Sequence, residues 1–350
     1  MNSNKVKRQA LLDDATLNYV MILLAFIIAL IIFTAVYLTA CFITADKAPA
    51  PNNEINESVV DKDGDYPFKQ EISVILPPDN PSSAIIPADS IDSDFALLIN
   101  TKGEIVASRR SSTTIYPASM TKVMTLIVVY ENLPSASCLD DVLTINIPRG
   151  EHSGYGFEMG EKLTVKDLIY AAILQSDGVA CITLAKYIAG SEANFVKLMN
   201  DKVRELGLLE GDPENNPSTN FTNCSGLHEQ YHYTTAYDMA VIMSYAMKNT
   251  FCAEVLTSIS YRPSENFRPG EGCVFWHSFL HNRLNDGAIQ PTTATIKGGK
   301  TGWTGSDSGY CIASYIEGKN GENYILVTAK AEGWASAAQD AVSICNNYIK

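Results

Sequence analysis

A serine and a lysine stand three residues apart at a predicted helix start. Pro117 marks that start, and Ser119 and Lys122 follow it. Residues three apart share one face of a helix, so the lysine amine is placed to take the proton of the serine hydroxyl. The positive end of the helix dipole also favours the ionised oxygen. This is the chemistry of an activated serine nucleophile, although Ser-x-x-Lys alone occurs on many solvated helix faces.

Two further polar motifs lie downstream. Ser176 begins a Ser-Asp-Gly triplet between two apolar helical segments, where it either caps a helix or faces a cleft. Lys300 and Thr301 precede Gly302 at a glycine-flanked strand, a pattern that alone predicts only a turn. Ser-x-x-Lys, Ser-Asp-Asn and Lys-Thr-Gly together are the signature of class A β-lactamases and penicillin-binding proteins. The three motifs occur here in that order, 57 and then 124 residues apart.

The chain therefore resembles the low-molecular-mass penicillin-binding proteins, and among them the serine-type D-alanyl-D-alanine carboxypeptidases, over roughly residues 85–350. The nucleophile segment Pro-Ala-Ser-Met-Thr-Lys matches closely, and so do five other stretches. These are 160–165, 224–228, 232–240, 282–284 and 300–304. The resemblance implies an α/β (α+β), β-lactamase-like fold with a five-stranded antiparallel sheet, flanking helices and a helical subdomain.

The resemblance also assigns catalytic roles by position. Ser119 is expected to be the acylated nucleophile, Lys122 its base and Ser176 a proton relay. The backbone N–H groups of Ser119 and Trp303 are expected to form the oxyanion hole, where the loss of one donor typically costs about 3 kcal/mol of transition-state stabilisation. A second ammonium nearby, Lys300, is expected to lower the pKa of Lys122.

The implied substrate is the peptidoglycan stem peptide, whose terminal D-Ala-D-Ala bond is hydrolysed. Lys300, Thr301 and Gly302 are expected to bind its terminal carboxylate. β-Lactam antibiotics are expected to be covalent inhibitors, and no cofactor is expected.

The middle motif departs from the signature. It ends in Gly178 where asparagine is usual, so we expect weaker substrate binding at that point. Two other functions remain open. A β-lactamase needs a carboxylate that activates the deacylating water, and none is identifiable from the sequence. A catalytically weak penicillin-binding scaffold of the cell wall is the other alternative, and Gly178 is the feature that favours it.

A zinc-protease signature, His-Glu-x-x-His, occurs at 228–232, with His277 and His281 as further possible ligands. That mechanism needs both histidines of the motif on one helical face. The capping box that starts at Thr235 predicts instead that the helix begins after His232. The segment is therefore expected to be a loop, and no metal is expected.

Strand patterns at both ends of the domain must position these motifs. Residues 95–100 and 104–108 predict a hairpin, while 309–316 and 324–331 predict two strands followed by a helix from about Ala335. Helical periodicity fills the region between them, at Met120–Tyr130, Val165–Leu174, Val179–Ala189 and Ala193–Leu206. Strands at both ends with helices between predict a sheet closed by distant segments.

An uncharged run of 24 residues, Val20–Ile43, is long enough to span the roughly 30 Å hydrocarbon layer. Basic residues precede it, so we expect a cytoplasmic N-terminus, a single pass through the cell membrane and an extracytoplasmic catalytic domain. A cleaved signal peptide or lipidation at Cys41 are the alternatives. The predicted organisation is a cytoplasmic tail (1–17), a transmembrane signal anchor (18–44), an acidic proline-rich linker (45–84) and the catalytic domain (85–350).

The chain ends just after the last predicted helix. A C-terminal β-domain and amphipathic anchor, common in relatives, are therefore expected to be absent, which leaves the N-terminal helix as the expected anchor.

Composition excludes other classes of function. The chain has 350 residues, 46% of them hydrophobic, which suits a globular enzyme, and its net charge of −13 argues against a nucleic-acid surface. Its eight cysteines form no Cys-x-x-Cys pair, so we expect small buried thiols more than a disulfide framework.

Overall fold

A mixed β-sheet lies at the centre of the fold. The computed structural model describes residues 83–148, 150, 152–208, 219–265, 267–268, 276–284 and 289–350. All of these residues belong to the compact unit Gly64–Lys350. The strands in this part of the chain are β1 (Ala84–Ile85), β2 (Phe95–Asn100), β3 (Ile105–Arg109), β4 (Thr114–Ile115), β5 (Val142–Thr144), β6 (Lys162–Thr164), β7 (Thr234–Thr235), β8 (Ser260–Tyr261), β9 (Trp276–His277), β10 (Ala294–Gly302), β11 (Tyr310–Gly318) and β12 (Asn323–Ala331).

Six of these strands form the main sheet, in the order β1-β3-β2-β12-β11-β10. The distant strand sets meet where β2 pairs with β12, with Leu98 opposite Leu326, so the predicted closure by distant segments is confirmed. The prediction of five antiparallel strands needs one correction, because β1 adds a sixth strand that runs parallel to β3. A strand of two residues is too short to produce an alternating pattern, so the sequence does not reveal it.

Helices in the described residues cover both faces of this sheet. They are α1 (Lys122–Glu131), α2 (Val165–Leu174), α3 (Gly178–Ala189), α4 (Glu192–Glu205), α5 (Ala236–Lys248), α6 (Thr250–Thr257), α7 (Phe279–Arg283) and α8 (Trp334–Tyr348). The spacing Thr164-Val165-Lys166-Asp167 predicts a capping box at the start of α2, and it is present, since Asp167 N donates to Thr164 Oγ1 and Thr164 N donates to Asp167 Oδ2. Each bond satisfies a backbone N–H group that the helix start leaves without a partner in the helix.

Alternate side chains of the sheet face two separate cores, as a strand period of two requires. On β2, Leu97 and Ile99 pack into the core that α1 to α6 share, whereas Leu98 packs into a second core with α7 and α8. Burial of one such side chain contributes about 2 kcal/mol, so both cores fix the register of the sheet. The helix predicted from Ala335 does cover the sheet, as α8.

The helix α1 lies in the middle of the larger core and is buried from Lys122 to Val129. Its side chains are apolar almost all round, which predicted this burial. A 3₁₀ turn, Ala118–Thr121, leads directly into it, with Pro117 before the turn. The serine of the first motif therefore lies at the start of a helix that the core holds on all sides.

No helix in the described part of the chain is long and apolar enough to cross a membrane. The anchor predicted at 18–44, Cys41 and nearly all of the linker at 45–84 lie outside the described residues. The six cysteines within them are free thiols, and all but Cys138 are buried, as expected from their apolar surroundings.

Candidate active site

Ser119 and Lys122 are in contact at the start of α1. The Lys122 Nζ atom lies 2.9 Å from Ser119 Oγ and donates a second hydrogen bond, of 2.5 Å, to the carbonyl oxygen of Ser225. Only 8% of Ser119 and 1% of Lys122 is exposed. The amine is thus fixed beside the hydroxyl by one side-chain and one backbone contact, in a site that excludes most water.

At two glycines, distant backbone packs closely against the nucleophile turn, which is the 3₁₀ turn Ala118–Thr121 that carries Ser119. A Cβ atom on Gly226, whose φ is +82°, would lie 2.0 Å from the carbonyl oxygen of Ala118. A Cβ on Gly302, at the end of β10, would lie 2.9 Å from the carbonyl oxygen of Pro117. Glycine is needed at both positions because no side chain fits there. Ala118 itself has a φ of +47°, so neighbouring backbone holds the turn in a conformation that alanine rarely adopts.

A second pair of polar side chains lies close enough to the first for the charge of Lys122 to act on Lys300. Lys300 Nζ donates to Ser176 Oγ at 3.0 Å and to the carbonyl oxygen of Thr301 at 2.8 Å. Ser176 lies between α2 and α3 with a φ of +55°. Asp177 caps α3 by accepting a hydrogen bond from Ala180 N at 2.8 Å, so this corner of the chain is fixed by the helix start. Lys300 and Thr301 are both buried.

Burial lowers the pKa of both lysines. It lowers the pKa of Lys122, which nearby acidic groups, Asp177 among them, only partly offset. Burial also lowers the pKa of Lys300 well below its ordinary value, and the charge of Lys122 lowers it further. Two ammonium groups are therefore unfavourable together, and the lowered pKa makes the Lys122 amine a better candidate for a general base than an exposed lysine.

A loop around Asn223 completes the lysine's environment. The Asn223 Oδ1 atom accepts hydrogen bonds from Gly226 N at 2.7 Å and from Leu227 N at 3.1 Å. This loop presents the Ser225 carbonyl to Lys122. The sequence did not predict the roles of Asn223 and of the Ser225 carbonyl. The carbonyl acts through its position, which leaves no signal in residue type, and Asn223 acts by holding the loop that presents it.

The His232 side chain holds the nucleophile turn through a hydrogen bond to Thr121. Its Nδ1 atom accepts a hydrogen bond from Thr222 N at 3.0 Å, so the ring proton is on Nε2, which donates to Thr121 Oγ1 at 2.8 Å. Burial lowers the pKa of His232 to about 3, so the ring is neutral. The sequence pointed to this histidine as part of the zinc-like motif and of the family-like stretch 232–240, but not to its contact with Thr121.

The predicted loop at 228–232 is confirmed, since α5 begins only at Ala236. The two histidines of that motif do not share a helical face. The His228 Nε2 atom lies 3.7 Å from Asp307 Oδ2. Both ring nitrogens of His232 form hydrogen bonds, one with Thr121 and one with Thr222. Within the described residues no group of three or more side chains has the arrangement of a metal site.

The remaining predicted site residues lie at the end of β10. Gly302 contacts the nucleophile turn, and Trp303 follows it directly. The Trp303 side chain is 52% exposed and stacks on Tyr310, with ring centroids 5.9 Å apart. Its backbone therefore leaves the strand beside the nucleophile turn, while its ring lies at the surface.

Comparisons of the sequence with known proteins identify one family. The family described as D-alanyl-D-alanine carboxypeptidase, peptidase S11, matches residues 82–333. The D-alanyl-D-alanine carboxypeptidase DacF of Bacillus subtilis (strain 168) is 30% identical over 218 residues, which cover 61% of this chain and 50% of that protein. This chain thus spans about half the length of that relative.

Solved structures agree on the architecture. Penicillin-binding protein 5 from Haemophilus influenzae matches with a TM-score of 0.61 at 25% identity, over 72% of this chain and 69% of that one. Penicillin-binding protein D2 from Listeria monocytogenes, solved in an ampicillin-bound form, matches with a TM-score of 0.62 at 22% identity, over 75% of this chain and 100% of that one. The fold is therefore the α/β fold of penicillin-binding proteins and β-lactamases, with a mixed sheet and flanking helices.

Proposed function

This chain belongs to the peptidase S11 family of D-alanyl-D-alanine carboxypeptidases, and on that premise we propose that it hydrolyses the terminal D-Ala-D-Ala bond of peptidoglycan stem peptides through a serine acyl-enzyme. The observation that carries this proposal is the 2.9 Å contact between Ser119 Oγ and Lys122 Nζ in a buried site. A buried amine of lowered pKa beside a serine at a helix start is the arrangement that acyl transfer needs.

Acylation begins when the neutral Lys122 amine accepts the Ser119 proton. The serine oxygen then attacks the carbonyl carbon of the penultimate D-alanine. The backbone N–H groups of Ser119 and Trp303 stabilise the oxyanion, since the end of β10 lies against the nucleophile turn. The C–N bond then breaks, and the leaving D-alanine takes up the proton at its amine.

Ser176 is the proton relay in this proposal. Its hydroxyl accepts a hydrogen bond from Lys300 Nζ at 3.0 Å. In this role it passes the proton from Lys122 to the departing amine. Water then attacks the ester on Ser119, the second product leaves, and the serine regains its proton.

Lys300, Thr301 and Gly302 bind the substrate's terminal carboxylate in this proposal. The carboxylate supplies a negative charge beside the buried Lys300 amine. An anion next to this amine favours its protonated form, so binding of substrate reverses the effect of burial on the pKa of Lys300. A substrate without a free C-terminal carboxylate is therefore a poor one.

The test is release of D-alanine from diacetyl-Lys-D-Ala-D-Ala by the purified full-length protein. We expect stoichiometric release of one D-alanine for each peptide consumed. Intact peptide after prolonged incubation with a protein that still binds penicillin would favour the alternative of a weak cell-wall scaffold.

A β-lactamase is the second alternative, and the site does not favour it. Within the described residues, the recorded hydrogen bonds of Ser119 and Lys122 involve no carboxylate. The nearby Asp177 carboxylate accepts hydrogen bonds from Ala180 N, as the cap of α3, and from Gly156 N, so both of its oxygens are already engaged by backbone donors. We therefore propose that β-lactams form a long-lived adduct, and rapid turnover of penicillin would contradict this.

We also propose that residues 18–44 stay attached as a membrane anchor, with the catalytic domain outside. The uncharged run Val20–Ile43 and the basic residues before it support this orientation. The native protein should begin at or near Met1. Recovery of a mature protein that starts at a lipid-modified Cys41 would establish lipidation instead.

A further inference from the structure

The loop 152–157 is fastened to the Ser176-Asp177-Gly178 motif by three hydrogen bonds. Gly178 N donates to the carbonyl oxygen of Ser153 at 2.9 Å, and Ser153 Oγ donates to the carbonyl oxygen of Ser176 at 3.1 Å. Gly156 N donates to Asp177 Oδ2 at 3.4 Å. The loop is therefore part of the cleft wall that carries Ser176, and its position relative to that serine is fixed.

The His152 ring occupies the space beside Gly178. A Cβ atom on Gly178 would lie 3.1 Å from His152 Cβ and 3.2 Å from His152 Nδ1. That Nδ1 atom is buried and has no hydrogen-bond partner in the described part of the chain. Buried polar atoms are nearly always paired, so an unpaired one beside an active site calls for a partner that arrives with the substrate. The glycine makes room for this ring.

We propose that His152 is a substrate-binding residue, whose imidazole takes the place of the side chain that Gly178 lacks and hydrogen-bonds the peptide backbone of the substrate. This inference rests on the proposed carboxypeptidase function and adds a specificity-determining residue to it. An asparagine at position 178 would add a Cβ in tight contact with both the Cβ and the ring of His152, so the histidine must shift to admit it. His152 and a side chain at 178 are alternatives for one volume.

The experiment is a double-mutant cycle on the full-length protein, read as kcat and KM for D-alanine release from diacetyl-Lys-D-Ala-D-Ala. His152→Ala should lower kcat/KM about three- to tenfold, the effect of one lost hydrogen bond. Gly178→Asn alone should also lower it, because it displaces the ring. The double variant should recover activity above His152→Ala, since the asparagine amide can then occupy the space of the lost ring, with only the tight contact to the residue 152 Cβ remaining.

Controls separate binding from folding. His277→Ala removes an exposed imidazole but keeps the backbone carbonyl that accepts a hydrogen bond from Gln175, so it should leave the kinetics unchanged. His152→Gln, which keeps a hydrogen-bonding side chain, should retain more activity than His152→Ala, with equal melting temperatures. A purely structural role predicts parallel losses of stability and activity in both.

The outcomes are distinct. If the wild type releases no D-alanine, the proposed function itself fails. If the wild type is active but His152→Ala matches it, or if the double variant is no better than His152→Ala, then His152 has no part in substrate binding and this inference is overturned.

Discussion

The two walls of the active site are built in different ways. The nucleophile wall, Ser119 and Lys122, comes from one short segment, and its geometry follows from the start of α1. The opposite wall, Ser176 and Lys300, joins residues 124 positions apart and depends on a capped helix, a strand and the loop 152–157. The spacing of Ser119 and Lys122 is thus set by local backbone structure, with distant backbone packed against it, whereas Ser176 and Lys300 are brought together only by long-range contacts.

The difference explains where the sequence departs from the signature. On the nucleophile wall the neighbouring backbone lies within contact distance of the turn, so little can change without displacing Ser119. On the opposite wall a side chain from a neighbouring loop can replace one from the motif, as His152 does beside Gly178. Variation is tolerated where another segment can supply the lost group.

The largest effect is expected from Lys122→Ala. Without the amine, Ser119 has no base, so D-alanine release should fall at least about 10³-fold. Lys197→Ala, an exposed lysine on α4, serves as the matched control and should leave the rate unchanged. A Lys122→Ala protein that retains a tenth of the wild-type rate would show that another group is the base.

A smaller but still large effect is expected from Gly226→Ala. The new Cβ would meet the Ala118 carbonyl oxygen at 2.0 Å and push the nucleophile turn out of place. A displacement of about 1 Å at the reacting atoms lowers the rate on the order of 100-fold. The measurement is kcat/KM for D-alanine release.

Gly190→Ala is the matched control for that variant. Gly190 also has a positive φ, of +74°, but nothing lies within 4 Å of its Cβ position. The substitution should cost about 1–2 kcal/mol of folding stability, from the left-handed backbone alone, and leave kcat/KM intact. If Gly226→Ala and Gly190→Ala behave alike, the turn does not depend on this close contact.

The smallest effect concerns His232 and pH. Its pKa is about 3 in the folded protein and near 6.5 in the unfolded chain, so the unfolded state alone takes up a proton between these values. The contribution of His232 to stability is therefore complete above pH 6.5 and falls with pH, by about 2 kcal/mol between pH 7 and pH 5.

Urea unfolding of the wild type and His232→Asn at the two pH values measures this contribution. Asp238, whose pKa burial raises to about 6, changes stability in the opposite direction, so only the difference between the two proteins isolates His232. NMR of the wild-type imidazole gives an independent reading. A ring that titrates near pH 6.5 in the folded protein would contradict the assigned tautomer and its support of Thr121.

The sequence predicted the nucleophile wall better than the opposite one. Ser119 and Lys122 are close because of helical periodicity, and the capping box at Thr164 fixed the start of α2. The predicted range Val165–Leu174 agrees with α2 at both ends. These features depend on neighbours within a few residues, which a single sequence displays.

Features that depend on distant contacts stayed hidden. His152 stands in a loop without periodicity, and only the folded chain shows that it fills the space beside Gly178. The Ser225 carbonyl acts through the backbone, and β1 is too short to produce a pattern. The sequence had suggested Gly178 only as a lost contact, whereas the structure shows what occupies its place.

The most direct test of the central claim, that Ser119 is the acylated nucleophile, is peptide mapping of the penicillin adduct by mass spectrometry. We predict one added penicillin mass per chain, located on the peptide that contains Ser119 and absent from Ser119→Ala. An adduct that maps to Ser176, or that persists in Ser119→Ala, would contradict the account.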